Sequence, residues 1–241
     1  MPSEKSDQRE YRDFPYQSIV GSLMHAAVMT RPDITHAVQQ VTQFMSDPQS
    51  AHCLAVKRIL RYLCSTANLQ LTYGLDSDSK VIAYCDADYA NDPDTRKSIS
   101  GFTCMFNGGC FAWSSRKQTS VSLSTAEAEY ISAVHAAKSA AWLRVLIISD
   151  EPIDLRIDNQ SAIALINLDD SVNKRSKHIE VQYHWIRDAV RKGIISPSHI
   201  PSKFNISDIL TKPLNRNTHT RLTSLLGLSY LYPHILVEGE R

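Results

Sequence analysis

The sequence predicts an α/β fold: a mixed five-stranded sheet with flanking helices, preceded by a small helical segment. Three observations carry this expectation. Residues 98–106 and 110–114 read as strands joined by Asn107-Gly108-Gly109, a strong hairpin turn signal. Two more apolar runs, at 153–157 and 194–200, are each reached through a helical stretch, which calls for crossover helices packed on the sheet. Ahead of all of these, residues 16–64 carry helical rather than strand periodicity. With 241 residues, 43% of them hydrophobic, the chain can bury a sizeable core.

In chain order, residues 1–13 are polar and charged and are expected as a flexible tail. A helix is expected over 16–28. A second follows, with Pro32 in its first turn, where a missing N–H costs nothing. Its apolar face is Ile34, Ala37, Val38, Val41 and Met45, and Asp47-Pro48 ends it. A third helix covers 51–64, with Leu54, Ile59, Leu60 and Leu63 apolar. Leu69, Leu71 and Tyr73 alternate as a short strand, closed by Gly74. No chemistry is visible in this front segment, and its expected task is packing.

The character changes at Lys80. Residues 80–88 form an apolar run that ends in acids. After the hairpin comes a long amphipathic helix over 125–147, entered through Ser124 with Glu127 three places on, a capping box. Ile153, Leu155 and Ile157 alternate as a strand closed by Asp158. Helices over 160–166 and 175–192 follow, the latter stopped by Gly193. A fifth strand at 194–200 leads to a short helix over 205–212, ended by Pro213. Residues 215–241 are expected as a C-terminal tail.

Formal net charge is +1, but its distribution is uneven. Between Lys174 and Arg221, ten Lys/Arg stand against three Asp/Glu; between Lys80 and Asn173, eight stand against twelve. Such blocks fit a carboxylate site beside a phosphate-binding face, or two solvated surfaces. The five cysteines are odd in number and form no Cys-x-x-Cys pair, which reads as reduced thiols in an intracellular protein. The first thirteen residues lack the apolar core of a signal peptide, and no later run is long enough to span a membrane. The expectation is therefore an intracellular chain that is not secreted and has no membrane partner.

Several acids stand where chain ends converge. Hydrolysis of a phosphodiester needs an activated water and stabilisation of developing charge, and hard divalent ions on carboxylates supply both. Asp86 ends an otherwise apolar strand, where an unpaired acid is costly to bury. Asp88 projects to the same side and is either an auxiliary or loop surface. Glu127 and Glu129 lie about 200° apart on one helix, so only one can face a site. Glu127 is committed to the capping box. Glu129 shares its face with Ala133 and Ala136 towards the sheet, so Glu129 is the expected site residue. Asp158 closes a strand and opens a helix, a position that also suits an N-cap. Asp208 follows Asn205 by three, a position that also suits a first-turn acid favoured by the helix dipole.

Longer motifs narrow these readings. Tyr-Cys-Asp-Ala-Asp-Tyr-Ala (84–90), Ser-Leu-Ser-Thr-Ala-Glu-Ala-Glu-Tyr (122–130), Asp-Asn-Gln-Ser-Ala-Ile (158–163), Lys-His-Ile-Glu-Val (177–181), Tyr-His-Trp-Ile-Arg (183–187) and Ser-Asp-Ile-Leu-Thr-Lys-Pro-Leu (207–214) occur in this order. Together they resemble the ribonuclease H domain of Ty1/copia-type retrotransposon polyproteins. Val-Gly-Ser-Leu-Met (20–24), Thr-Arg-Pro-Asp-Ile (30–34) and Val-Lys-Arg-Ile-Leu-Arg-Tyr-Leu (56–63) resemble the end of the reverse transcriptase that precedes that domain. The resemblance implies a ribonuclease H-like domain over 80–214 behind a connection-like reverse transcriptase end over 14–76. It also implies hydrolysis of the RNA strand of RNA–DNA hybrids with two divalent ions, Mg²⁺ or Mn²⁺. Carried over by position, Asp86, Glu129, Asp158 and Asp208 are the catalytic, metal-holding acids. The implied partners are the hybrid and the reverse transcriptase part of the same polyprotein, in cytoplasmic virus-like particles or the nucleus.

The sequence also departs from that family. Tyr89 stands where many relatives have Trp. The His that cellular ribonucleases H carry before the last Asp has no clear counterpart, since His199 falls on an expected strand. The polymerase motif is missing, because Leu168-Asp169-Asp170 lacks its aromatic residue, so no polymerase activity is expected. Phosphate and sugar contacts are expected from Asn159, Gln160, Lys174, Arg175, Lys177 and His178, the last four doubling as a solvated helix end. An integrase would place its Glu last and a proofreading exonuclease would carry Asp-x-Glu on the first strand; this chain does neither. A catalytically inactive relic that only binds nucleic acid, or serves as a structural module, is the alternative.

Overall fold

A computed structural model describes residues 13–74, 80–147, 150–168 and 177–230, with side chains in the last stretch described from His184 onward. The expected tail over 1–13 lies almost wholly outside the described residues.

The front segment folds as α1 (Tyr16–Met29), a 3₁₀ turn at Pro32–Ile34, α2 (Thr35–Thr42) and α3 (Ser50–Ser65). Tyr16, Val20, Leu23, Ile34, Val38, Val41, Cys53, Val56 and Ile59 form its own core. Two residues expected to face inward, Ala37 and Leu54, are exposed. The turn at Pro32–Ile34 delays the start of α2 and shifts its phase. On α3 the buried stripe is Cys53–Val56–Ile59, and Leu54 lies one step, about 100°, off it. Arg31 is buried and grips Asp33 in a two-pronged ion pair of 2.9 and 2.7 Å, and Asp33 also accepts from Tyr62 Oη at 2.6 Å. A buried ion pair is tolerated only when its remaining hydrogen bonds are met, and Thr66 Oγ1 accepts from Arg31 at 2.8 Å.

The main sheet is built from β2 (Ile82–Asp88), β3 (Ile99–Phe106), β4 (Gly109–Lys117), β5 (Ile153–Ile157) and β6 (Ile195–His199) in the order β4-β3-β2-β5-β6. The first three strands of the domain are antiparallel, and β5 and β6 run parallel to β2. This is the mixed five-stranded sheet with flanking helices that the sequence predicts. One face is covered by α4 (Thr125–Leu146), α5 (Gln160–Asn167) and α6 (Lys177–Arg191). Ala128, Ala133, Ala136, Ala137 and Ala140 of α4 are fully buried, and such small side chains let the helix approach the sheet closely.

The opposite face carries a second core and a correction. Residues 215–241 were expected as a tail, yet Arg216–Leu225 forms α7 and Leu228–Tyr230 forms β7, which pairs antiparallel with β1 (Leu69–Leu71). Leu222 and Leu226 are fully buried with Tyr84, Ile209 and Leu210. This apolar face needed a cover, and the C-terminal segment supplies it. Residues 231–241 lie outside the described residues. The same segment joins the front unit to the sheet domain: His219 Nε2 lies 3.1 Å from Asp33 O, its ring set edge-on to Tyr62. On the sheet itself, Trp113 Nε1 donates to Ala27 O at 2.8 Å.

Candidate active site

The register of the sheet places the first pair of acids. Cys85 of β2 lies beside Ile157 of β5 in parallel register, so Asp86, still within β2, and Asp158, just past the end of β5, follow one residue later on neighbouring strands. Asp158 is free for this position because Asn159 caps α5 instead, its Oδ1 accepting from Ala162 N at 3.0 Å.

Glu129 arrives from α4. Ser124 Oγ accepts from Glu127 N at 3.1 Å, and Glu127 Oε2 accepts from Leu123 N at 2.7 Å, which turns Glu127 to the helix entry. Ser132 Oγ, one turn on, lies 2.7 Å from Asp86 O and 3.0 Å from Gly101 O, pinning the helix to β2 and β3. A buried Gln118, donating to Ser100 Oγ and Ala128 O, locks the same turn. Glu129 is thereby held against the sheet, 7% exposed.

The result is a three-acid cluster. Asp86, Glu129 and Asp158 each offer a carboxylate oxygen within 4.8 Å of the others. Burial pushes Asp86 up to about 7, with Lys212 opposing and Asp208 adding to the shift. Burial, then Asp86 and Asp158, push Glu129 up to about 9. Among the described residues, Glu129 Oε2 is buried with no hydrogen-bond partner. An unpartnered oxygen among acids that resist joint ionisation is a donor set lacking its positive charge. Hard carboxylate donors at this spacing fit a divalent cation.

Asp208 lies outside that cluster. It sits in a 3₁₀ turn, Ile206–Leu210, whose approach to the sheet is set by two residues. Asn205, fully buried, donates from Nδ2 to Cys85 O at 2.8 Å and accepts from Ser207 N at 3.1 Å. Gly101 leaves room, since a Cβ there would meet Thr211 Cγ2 at 2.6 Å and Leu210 Cβ at 2.9 Å. Asp208 Oδ1 pairs with Lys212 Nζ at 3.0 Å, and the same ammonium reaches Asp86 Oδ2 at 3.5 Å. Burial lowers the proton affinity of Lys212, but Asp86 and Asp208 more than reverse this, and the net shift is upward. Thr211 Oγ1 donates to Asp86 Oδ2. Asp88 bonds Asn91 and stands apart from the three-acid cluster.

Sequence reasoning missed Lys212, Thr211, Ser132 and Gly101. The Asp208–Lys212 spacing of four was the available signal for the lysine. Other basic residues of the 174–221 block are engaged in the fold: Arg187 donates to Leu165 O and Lys192 pairs with Asp188. Gln160 is exposed at the start of α5. Lys174 and Arg175 lie outside the described residues, as do the side chains of Lys177 and His178.

No family model matches the chain. It is 40% identical over 231 residues, 94% of its length, to the Retrovirus-related Pol polyprotein from transposon TNT 1-94 of Nicotiana tabacum. It spans only 17% of that polyprotein. It is also 44% identical over 134 residues to the Secreted RxLR effector protein 161 of Plasmopara viticola, covering 56% of this chain and 94% of that protein. Among solved structures, LC11-RNase H1 in complex with RNA/DNA hybrid is 16% identical with a TM-score of 0.41, covering 55% of this chain and 94% of that one. Among the described residues, no helix is long and apolar enough to cross a membrane. With identity running through nearly its whole length, the chain belongs to the Pol polyprotein family of Ty1/copia-type retrotransposons.

Proposed function

We propose that this chain is the ribonuclease H part of a copia-type Pol polyprotein and hydrolyses the RNA strand of RNA–DNA hybrids, with Mg²⁺ or Mn²⁺ as cofactor. One observation carries the reading: acids from three separate elements gather within 4.8 Å around a buried carboxylate oxygen that has no partner. Asp86, Glu129 and Asp158 would hold the ion, with Asp208 beside them. A divalent cation there supplies an activated water and stabilises charge on the phosphoryl oxygens. Asn205 and Ser132 keep the acids in place by fixing the backbone at Cys85 and Asp86. Gln160 and the amide nitrogen of Asn159 would contact the sugar–phosphate backbone next to Asp158, with Lys174, Arg175, Lys177 and His178 as further contacts. Residues 14–76 are read as the end of the reverse transcriptase, the partner in the same polyprotein, and no polymerase activity is expected.

Purified protein with Mg²⁺ or Mn²⁺ should cut the RNA of a labelled hybrid and spare duplex DNA. Asp158→Asn should lose this activity. Equal cleavage by the variant would overturn the site assignment, and no cleavage by the parent protein would favour the inactive nucleic-acid-binding module.

A further inference from the structure

Lys212 plays no part in the three-acid cluster, yet it is built into the site. Its ammonium lies 3.0 Å from Asp208 Oδ1 and 3.5 Å from Asp86 Oδ2. Asp86 is 2% exposed, so this oxygen faces the ammonium and the Thr211 hydroxyl rather than solvent. The lysine is held there by its own turn, in which Lys212 N donates to Asp208 O at 3.3 Å and Pro213 follows directly. Asp86 is therefore shared, clustering with the acids Glu129 and Asp158 and pairing with Lys212, which also holds Asp208. A metal ion bridging Asp86 and Asp208 would have to share both carboxylates with Lys212, which already pairs with an oxygen of each. It would also stand beside an ammonium of like charge, at a carboxylate that is 2% exposed.

We propose, resting on the metal-nuclease reading above, that Lys212 is a built-in cation occupying the place between Asp86 and Asp208. The site without nucleic acid then takes one divalent ion, on Asp86, Glu129 and Asp158, and not two. Lys212 is a positioning residue here: it holds Asp208 against Asp86 and sets how many ions the acids accept.

The test is a calorimetric Mn²⁺ titration of the whole chain without nucleic acid, with the count checked by loss of the free-Mn²⁺ paramagnetic resonance signal. Wild type should bind one ion per chain and Lys212→Arg should also bind one. Lys212→Met should bind two, with at least a tenfold gain in affinity for the second. Two ions in wild type would overturn the inference and leave the metal-nuclease reading standing, whereas none would overturn both. One ion in a cooperatively melting Lys212→Met would also overturn it. If Lys212→Met fails to fold, Lys212→Gln carries the same expectation, and the wild-type count decides by itself.

Discussion

Glu129 should make the metal-free fold less stable as pH rises, and an amide in its place should remove that cost. The carboxyl is held at about 9 in the fold, against an ordinary value of 4.5. The folded state thus keeps a proton that the unfolded chain has released. Stability from this group is complete below 4.5 and is lost as pH rises through about 9. At pH 8 the proton is still bound, so the cost runs over about 3.5 pH units. At roughly 1.4 kcal/mol each, that is on the order of 5 kcal/mol relative to acid. Glu129→Gln has no proton to hold. For a chain of this size roughly 2–4 °C accompanies each kcal/mol, so the variant in EDTA at pH 8 should melt about 10 °C or more above wild type. Near pH 4 the two should melt together. Mn²⁺ at a hundredfold excess over its dissociation constant should stabilise wild type by about 2.7 kcal/mol, and should do far less for the variant. Scanning calorimetry from pH 4 to 9, with and without metal, measures all of this. A wild-type melting temperature that stays flat across that range, or a variant no more stable at pH 8, would refute the reasoning.

Three further outcomes follow from the packing around the acids. Gly101→Ala places a methyl 2.6 Å from Thr211 and 2.9 Å from Leu210, so it should cost about 1–3 kcal/mol in urea unfolding and lower activity by displacing Asp208. Asn205→Ala leaves Cys85 O and Ser207 N without their partner in a fully buried place, and chemical denaturation should show a loss of about 2–3 kcal/mol. Ending the chain at Leu214 uncovers the core that Leu222, Leu226 and Leu228 close. At roughly 1.5–3 kcal/mol for each lost leucine, the shortened chain should fail to give a cooperative melt.

Much of the architecture was legible because its causes are local. Strand alternation, the Asn107-Gly108-Gly109 turn and the Ser124 N-cap act over a few residues, and the sheet strands and the long helix stand where these signals put them. The choice of Glu129 over Glu127 was also local, since helix geometry separates the two. The misreadings came from contacts distant in the chain. Arg216–Leu225 is mostly polar and reads as a tail, but its Leu222, with Leu226 and Leu228 just beyond, closes a core shared with Leu69, Tyr84, Cys110, Ile209 and Leu210. Leu54 looks apolar and inward, yet its helix presents the stripe one step away.

The site divides in the same way. By itself the sequence determined which acids follow apolar runs or begin turns, because an acid after an apolar run is visible in one dimension. Only the tertiary structure decided which of them meet. Parallel register sets Asp86 beside Asp158, Ser132 seats Glu129 against them, and Asn205 with Gly101 admits the turn that brings Asp208 and Lys212. Distance between charges is what makes a cation site, and distance is set by strand register and helix packing over more than a hundred residues of chain.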